Sequence, residues 1–433
     1  QNAQEIIQQK TQASPIQTSQ EHSPQKRDKL NILTLGGSVT WGAAIPNRGQ
    51  SYPNVLRDFD KHNVTNLAIR ATGSDYPAQC ISSMFRIEEY NEESTYHPEV
   101  PFDVIIFEFS INGMSGFDLL LKRLQERFPD ALFIYIDLWS LRNGGAMDST
   151  SARQLVKEAG GYVYFFGNKG TPLLPFEFRD LPKYEIGSKT NSPPDHIMQL
   201  FADDTHHIST YGHSLARFQV KTIIEQYGKI PMKPRLGSWH GGDKCRSWFE
   251  DGKVSDSLQI IDGAKLNEWD KEKHKFAIEL DAPRAVIEYT HNGDNEAPIN
   301  FQFMTKSIDK WDVFSGLYPP VVVRITPAVE KIENTQEIVS GFHAESNGEF
   351  HPNLKLISDT YRGPDDGWNF ISSVNKLMGL RNFHITSVEH GGMLKPGKNY
   401  IQVYTLEKRK NPFRLTATIV CEACAQLGWK DFS

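Results

Sequence analysis

Residues 30–42 read Leu30-Asn-Ile-Leu-Thr-Leu-Gly-Gly-Ser-Val-Thr-Trp-Gly42, and this stretch decides the class of fold. A short apolar run of strand length ends at Gly36 and Gly37, and Ser38 follows them directly. Apolar residues bounded by glycines predict a buried β-strand. Open parallel sheets bind ligands beyond the carboxyl ends of their strands, so Ser38 is a candidate functional residue. Taken alone, a Gly-Gly-Ser turn is more often an ordinary strand-to-helix connection.

The first half of the chain alternates between strand-like and helix-like patterns. Strands are predicted at 30–35, 64–69, 104–109, 132–136 and 162–166. Helices are predicted at 52–59, 78–90, 118–128, 151–159 and 211–227. This alternation is typical of a three-layer α/β/α arrangement, in which a parallel sheet carries helices on both faces. The interval 167–202 is rich in proline and aromatic residues, and it is either a lid or binding loop or a surface excursion without a role.

After residue 229 the pattern changes to strands alone. Short runs lie at 258–261, 275–280, 285–289, 301–304, 321–325, 383–388, 400–404 and 415–421. Many short strands separated by Gly- and Pro-containing turns favour a β-sandwich. The predicted organisation is a flexible polar segment at 1–29, an α/β domain at 30–229, a linker at 230–239 and an all-β sandwich-like domain at 240–433. We expect residues 240–425 to fold autonomously and to carry no catalytic residue.

Composition limits the class of function. The 433 residues carry a net charge of −6, whereas a general nucleic-acid-binding protein carries a basic surplus. No run is long and apolar enough to span a membrane. The four cysteines allow two disulfides, and Asn63-Val-Thr65 is an acceptor triplet for N-glycosylation. These features favour the secretory route, with an extracellular, cell-surface or Golgi-lumen destination, and an upstream targeting segment or anchor could have been removed before Gln1.

Four stretches place polar or glycine residues where chemistry is expected. Ser38, Gly73 and Asn112 follow the first three predicted strands, and Asp203-Asp-Thr-His-His207 precedes the last helix. A serine hydroxyl needs a base, and an imidazole held by a carboxylate is the usual one. The oxyanion that develops in acyl transfer needs fixed donors, which two backbone N–H groups, of Ser38 and Gly73, and the Asn112 amide would supply. This chemistry requires no metal and no cofactor.

In order and spacing these stretches resemble the four sequence blocks of the SGNH (GDSL-type) hydrolase family. Gly36-Gly-Ser-Val-Thr40 resembles the first block, and Gly73 and Asn112 match the second and third. Asp204 and His207, followed by Gly212, match the last block, and the whole resemblance covers residues 30–228.

The resemblance implies a flavodoxin-like sheet and a role for each matched residue. Ser38 would be the nucleophile, His207 the base and Asp204 its carboxylate partner, with an oxyanion hole of Ser38, Gly73 and Asn112. Asp203–His206 has the same spacing as Asp204–His207. The family's glycine lies five residues after the catalytic histidine, and Gly212 lies five after His207, so the resemblance selects the second pair.

A closer resemblance is to a eukaryotic subgroup that includes fungal capsule-associated proteins, and it implies an acylated carbohydrate as substrate, with O-acetyl esters first. Two residues depart from the family pattern: Gly37 replaces the usual Asp, and Gly113 stands where Asp is common. The predicted function is a serine esterase. One alternative is an O-acyltransferase that uses the same serine. The other is a glycan-binding protein that has lost activity, an interpretation that the departure at Gly37 supports.

Several residues have competing interpretations. Cys421-Glu-Ala-Cys424 could be half of a zinc site completed by Cys80 and Cys245, but a local disulfide or one to Cys245 is favoured. Trp41, Trp139 and Trp248 could stack on sugars, although core packing is the default for tryptophan. His206 beside His207 invites a metal interpretation without setting a ligand geometry, and His196 and His213 are expected to be structural or exposed.

Overall fold

The computed structural model describes residues 29–86, 100–138, 150–166, 195–227, 234–238, 243–249, 252–280, 282, 284–307, 318–319, 321–328, 368–371, 374–375, 384–405 and 410–421. Residues 1–28 of the predicted tail at 1–29, most of the interval 167–202, Trp139 and Cys424 lie outside these residues. No helix in the described ranges is long and apolar enough to cross a bilayer.

The described residues up to 227 form a parallel sheet between two layers of helices. The strands are β1 (Asn31–Gly36), β2 (Asn63–Asn66), β3 (Val104–Glu108), β4 (Leu132–Asp137) and β5 (Tyr162–Phe165), in the spatial order β2-β1-β3-β4-β5. The helices are α1 (Ser38–Trp41), α2 (Tyr52–Asp58), α3 (Asp75–Arg86), α4 (Phe117–Arg127), α5 (Thr150–Glu158), α6 (Asp195–Met198) and α7 (Thr210–Tyr227), with a 3₁₀ turn at Arg48–Gln50. Every strand pair in this sheet is parallel.

The central strands are apolar on both faces because both faces are covered. In β3, Ile105 and Phe107 pack with helices α3, α4 and α5. Val104 and Ile106 alternate with them and pack with α2 and α7 on the other face. Alternate residues of a strand point to opposite faces, so a run of apolar residues indicates burial on both sides. The predicted three-layer α/β/α architecture is therefore confirmed.

The later strands form two packed, largely antiparallel sheets. They are β6 (Asp243–Ser247), β7 (Leu258–Asp262), β8 (Ala264–Asp270), β9 (Lys275–Leu280), β10 (Arg284–His291), β11 (Ala297–Ser307), β12 (Val321–Pro327), β13 (Trp368–Ile371), β14 (Val374–Asn375), β15 (His384–Leu394), β16 (Gly397–Thr405) and β17 (Phe413–Cys421). One sheet has the order β13-β12-β16-β10-β7, and the other has β14-β11-β17-β9-β8 with β15 beside β11 and β6 beside β17. Ile287 and Ile401 from the first sheet share a core with Phe301 and Leu415 from the second. This arrangement confirms the predicted β-sandwich.

The two parts share a hydrophobic core. Ile81 and Met84 of α3 belong to the same buried cluster as Met304 and Ile419 on the outer face of the sandwich. The prediction that residues 240–425 fold autonomously meets a physical objection here, because the isolated sandwich would expose this apolar surface to water. The boundaries at 229 and 240 stay predictions.

A disulfide between Cys80 and Cys245 joins α3 to β6. The prediction of a disulfide from Cys421 or Cys424 to Cys245 is therefore wrong, and so is a zinc site completed by Cys80 and Cys245, since both sulfurs are already bonded to each other. The reason is topological: β6 pairs with β17 at one edge of the sheet, and that edge packs on α3. A local Cys421–Cys424 disulfide stays a prediction, because Cys424 lies outside the described residues.

Candidate active site

Ser38 lies at the carboxyl end of β1, as the first residue of the short helix α1. The chain turns sharply there: Gly37 N–H donates to the carbonyl of Glu108 at 3.2 Å, and Trp41 N–H donates back to the Gly37 carbonyl at 3.1 Å. Gly42, in the left-handed conformation, ends the helix after one turn. The turn leaves Ser38 with 8% of its surface exposed, so its hydroxyl is held in a nearly dry environment at the sheet edge.

His207 and Asp204 complete a hydrogen-bonded chain with Ser38. His207 Nε2 lies 2.8 Å from Ser38 Oγ, and His207 Nδ1 lies 2.5 Å from Asp204 Oδ2. A carboxylate only accepts hydrogen bonds, so Nδ1 carries the imidazole proton and Nε2 is left to accept the serine proton. The arrangement can therefore generate an activated serine nucleophile.

The loop that carries Asp204 and His207 is closed by its own hydrogen bonds. Asp204 Oδ1 accepts the backbone N–H groups of His206 at 3.0 Å and His207 at 2.9 Å. Thr205 between them adopts a left-handed φ of 57°, and Ala202 N–H donates to the His207 carbonyl at 2.9 Å. Aspartate favours such tight turns because its side chain bonds backbone N–H groups two and three residues on. One carboxylate thus shapes the loop and holds the imidazole.

The register taken from Gly212 agrees with the geometry of this loop. His207 contacts Ser38, whereas the ring of His206 is buried edge-on against His207, with ring centroids 4.9 Å apart. Ser209 caps α7 by accepting the Gly212 N–H at 3.1 Å. A Cβ at residue 212 would lie 2.4 Å from the Leu200 carbonyl oxygen, so a glycine is required where the helix starts against this loop.

The pKa of Asp204 is set by opposing effects. Burial raises it, but the hydrogen bond and the charge of His207, with the backbone N–H groups of His207 and His206, lower the pKa further than burial raises it. Asp204 is therefore ionised at neutral pH. An ionised partner favours the imidazolium that forms when His207 takes the serine proton.

The three candidate oxyanion donors lie on adjoining turns. Asn112 is buried, and its side chain lies against Gly37, the residue before Ser38. Its Oδ1 has no hydrogen-bond partner among the described residues. Gly73 lies against Gly113, the residue after Asn112, and Ser74 N–H donates to the Gly113 carbonyl at 3.1 Å. The contacts of Asn112 with Gly37 and of Gly73 with Gly113 bring the three turns together at one edge of the sheet, although β2 and β3 lie on opposite sides of β1.

Both departures from the family pattern have structural causes. A Cβ at residue 37 would lie 2.5 Å from Asn112 Cγ, so no side chain fits at residue 37 while Asn112 keeps its place. Gly113 has a φ of 129°, a backbone conformation in which an aspartate would be strained. Glycine at both positions belongs to the geometry that places Asn112 in the site.

A buried polar network behind Ser38 was not identified from the sequence. Glu108, fully buried at the end of β3, accepts hydrogen bonds from Thr40 N–H at 3.4 Å and Thr40 Oγ1 at 3.1 Å. Thr40 Oγ1 also contacts the Tyr52 hydroxyl at 3.0 Å, and Tyr52 N–H donates to His213 Nδ1 at 3.3 Å. The sequence does contain an indication of this network, since Glu108 is a charged residue inside an apolar run and a buried charged residue needs polar partners.

Burial controls the ionisation of this network. It raises the pKa of Glu108 to about 8 against the partly compensating hydrogen bonds from Thr40 and Gly37. It also raises the pKa of Tyr52, and together with the charge of His207 it lowers the pKa of His213 to about 3. Burial therefore favours the uncharged form of each of these three side chains.

The remaining candidate residues have structural surroundings. Trp248 is fully buried and its indole N–H donates to the Leu415 carbonyl at 3.0 Å, which confirms the default of core packing. Trp41 carries the guanidinium groups of Arg48 and Arg70 at 4.2 and 4.3 Å from its ring centre. Asn63 is half-buried in the edge strand β2 and donates from Nδ2 to Asn31 Oδ1 at 2.9 Å, so a glycan would be attached to a nitrogen that already makes this hydrogen bond. Within the described ranges no group of three or more His, Cys, Asp and Glu side chains is suited to a metal ion.

Comparison with known proteins finds likenesses among solved structures only. A two-domain esterase active on acetylated mannans, crystallised with mannopentaose, is 13% identical over 91% of each chain with a TM-score of 0.49. A carbohydrate esterase family 2 enzyme with a carbohydrate-binding domain, from Corynascus thermopiles (Myceliophthora fergusii), is 12% identical over 45% of this chain and 66% of its own, with a TM-score of 0.29. TesA is 10% identical over 45% of this chain and 98% of its own, with a TM-score of 0.25. No family model and no curated protein matches the sequence. At these identities and TM-scores the likeness transfers neither a substrate nor a residue role to this chain.

Proposed function

We propose that this chain is an SGNH-type serine esterase that hydrolyses O-acyl esters, O-acetyl esters first, on a carbohydrate. The observation that carries the proposal is the hydrogen-bonded chain from Asp204 through His207 to Ser38, with distances of 2.5 and 2.8 Å. Asn112, whose side chain lies against Gly37, and Gly73, which lies against Gly113, support it as candidate oxyanion donors. The carbohydrate as substrate rests on the closer resemblance of the sequence to the eukaryotic subgroup.

The residues present supply each step of ester hydrolysis. Ser38 Oγ attacks the acyl carbon while its proton passes to His207 Nε2, and the negative carbonyl oxygen is bound by the N–H groups of Ser38 and Gly73 and by the Asn112 amide. The bond to the sugar oxygen then breaks as His207 returns the proton to that oxygen, which leaves the acyl group on Ser38. Water attacks the acyl-enzyme and gives a proton to His207; the bond between the acyl carbon and Ser38 Oγ then breaks as His207 returns that proton to Oγ, which releases the acid and regenerates Ser38.

A secretory location is part of the proposal. The Cys80–Cys245 disulfide supports it, because disulfides persist in oxidising compartments. Glycosylation at Asn63 stays a prediction.

The test is hydrolysis of p-nitrophenyl acetate and then of acetylated polysaccharides by the wild type and by Ser38→Ala. We expect acetate to be released by the wild type and not by the variant, while both have the same circular dichroism spectrum. Transfer of the acetyl group to an added sugar, with little free acetate, would instead identify an acyltransferase. A folded wild type that binds acetylated glycans and releases no acetate would identify the inactive binding protein.

A further inference from the structure

The turn that carries Gly73 is held between two different parts of the molecule. On one side, Ser74 N–H donates to the Gly113 carbonyl at 3.1 Å and Ser74 Oγ donates to the Ser115 carbonyl at 2.9 Å. These contacts fix the turn to the loop after Asn112. They constrain only one end of the segment 70–75, because both come from Ser74.

On the other side, the segment 70–75 is held by the β-sandwich at three points. Arg70 donates to the carbonyl of Lys273 in the turn between β8 and β9. Thr72 Oγ1 accepts from Gln302 Nε2 of β11 at 3.4 Å, and the Asp75 carboxylate accepts the backbone N–H of Val388 in β15. Three separate elements of the sandwich thus contact the one segment that presents the Gly73 N–H.

Gln302 is oriented for this contact by its own strand neighbours. It is fully buried, and its Oε1 accepts from Thr416 Oγ1 of β17 at 3.0 Å. With Oε1 on the side of Thr416, Nε2 points at Thr72 on the turn. Phe301 and Phe303 on either side pack inside the sandwich, so Gln302 faces the α/β part as a consequence of strand alternation.

The residue two positions earlier repeats the pattern. Asn300 is buried, donates to Gln79 Oε1 of α3 at 2.7 Å and accepts from His390 Nδ1 at 3.0 Å. Buried amides are costly unless they are hydrogen-bonded, so this face of the sandwich is matched to the surface it covers. The covalent bond between Cys80 and Cys245 keeps the two surfaces together.

We propose that the β-sandwich positions the oxyanion hole, with Gln302 acting through Thr72 as the positioning residue for the Gly73 N–H. This inference rests on the proposed function and assigns the sandwich a role in catalysis that does not depend on binding a glycan. Neither side chain contacts the reacting atoms, so their loss should affect stabilisation of the transition state rather than substrate affinity.

The test compares Gln302→Leu with Gln402→Leu. Gln402 is an equally buried glutamine in the other sheet, and its Nε2 has no hydrogen-bond partner among the described residues, so it matches Gln302 in type and burial. We expect Gln302→Leu to lower kcat for p-nitrophenyl acetate by roughly ten-fold or more with little change in KM, since losing an oxyanion donor outright costs about 10²–10³-fold. Gln402→Leu should leave kcat unchanged.

Thr72→Val approaches the same contact from the other side, with Thr34→Val as its control, because the Thr34 hydroxyl is buried without a partner among the described residues. Thr72→Val should lower kcat like Gln302→Leu, and the double variant should lose no more than either single variant. A second measurement compares kcat for an oxygen ester with kcat for the thiono ester that carries sulfur in place of the carbonyl oxygen. Sulfur accepts hydrogen bonds poorly, so this ratio reports on the oxyanion donors, whereas misfolding lowers both rates alike. The preference for the oxygen ester over the thiono ester should fall in both variants.

The outcomes separate the two proposals. A wild type without esterase activity would overturn the proposed function and this inference with it. An active wild type in which Gln302→Leu and Thr72→Val keep the wild-type kcat and the wild-type ester preference would overturn the positioning role alone. If Gln302→Leu does not fold, Thr72→Val decides the question by the same two measurements.

Discussion

Asp204 uses its two carboxylate oxygens for different purposes. Oδ1 binds the N–H groups of His206 and His207, and Oδ2 binds the imidazole of His207. Asp204 is therefore bound through the backbone of residue 206 and through the backbone and side chain of His207. Because the two oxygens bind different groups, substitutions of the two adjacent histidines should have different effects.

His207→Ala and His206→Ala should differ greatly in activity. Removing His207 leaves Ser38 without a base and should lower kcat by several orders of magnitude. His206→Ala keeps the backbone N–H that binds Asp204, so kcat should fall much less. The two variants are compared on p-nitrophenyl acetate, and the reverse ranking would show that the register at this loop is wrong.

Gly37→Asp would introduce the residue that is usual at this position in the family that the sequence resembles, and it should nevertheless reduce activity. The added Cβ would lie 2.5 Å from Asn112 Cγ, so the amide must move away from the oxyanion. We expect kcat to fall by roughly 10²-fold, the lower end of the cost of losing one such donor.

Gly49→Asp is the control for this substitution, because it adds the same side chain at an exposed position of the 3₁₀ turn. It should keep the wild-type kcat. An unchanged or higher kcat for Gly37→Asp would show that Asn112 does not depend on a glycine at residue 37.

At the scale of elements, the short helix α1 is tied to the end of β3 through Glu108. Because burial raises the pKa of Glu108 from 4.5 to about 8, the folded protein binds a proton that the unfolded chain has already lost over this range. Because Glu108 ionises in the unfolded chain and not in the folded protein over this range, the free energy of unfolding falls as the pH rises from about 5 to 8, by about 1.4 kcal/mol per pH unit at most. Stability from this residue is fully present below pH 4.5 and is lost towards pH 8.

Glu108→Gln removes this titration while keeping an acceptor for Thr40. The free energy of unfolding of the variant, measured by urea denaturation relative to the wild type, should increase between pH 5 and 8. Other groups, Asp75 among them, titrate in both proteins and cancel in the difference. Parallel stability curves over this range would mean that Glu108 is not held as a buried neutral acid.

The strands and helices of the α/β part could be predicted because their side chains carry a strong period. The run at 104–109 shows a strand buried on both faces, and β3 covers Val104–Glu108. In contrast, β6 (Asp243–Ser247) is mostly polar and exists because it pairs with β17, and β8 (Ala264–Asp270) is half-exposed along its length. Such strands depend on tertiary pairing, which a single segment does not encode.

The site could be predicted to a similar extent. Ser38 and Asn112 are identified by their places after strand ends, and His207 by the spacing of the resembled sequence block; the structure brings His207 Nε2 within 2.8 Å of Ser38 Oγ. The contact of Gly37 with Asn112 and that of Gln302 with Thr72 could not be predicted, because each joins residues far apart in sequence through packing alone.

In the whole molecule, a disulfide and a shared hydrophobic core join the α/β part to the sandwich. Cys80 and Cys245 are 165 residues apart, so their bond strongly restricts the unfolded chain. Cys80→Ala and Cys245→Ala should each lower the free energy of unfolding by roughly 2–5 kcal/mol. The double variant should be no less stable than the worse single variant, since either change removes the whole bond. Full additivity in urea denaturation would indicate that the two thiols are not bonded to each other.

The central claim is that His207 activates Ser38 as a nucleophile, and covalent labelling tests it most directly. A p-nitrophenyl phosphonate transfers its phosphonyl group to an activated serine and releases p-nitrophenol, and peptide mass spectrometry locates the adduct. We expect an adduct on Ser38 that forms in the wild type and in His206→Ala but not in His207→Ala. A protein that hydrolyses acetyl esters while the label settles on another residue, or that labels equally fast without His207, would contradict it.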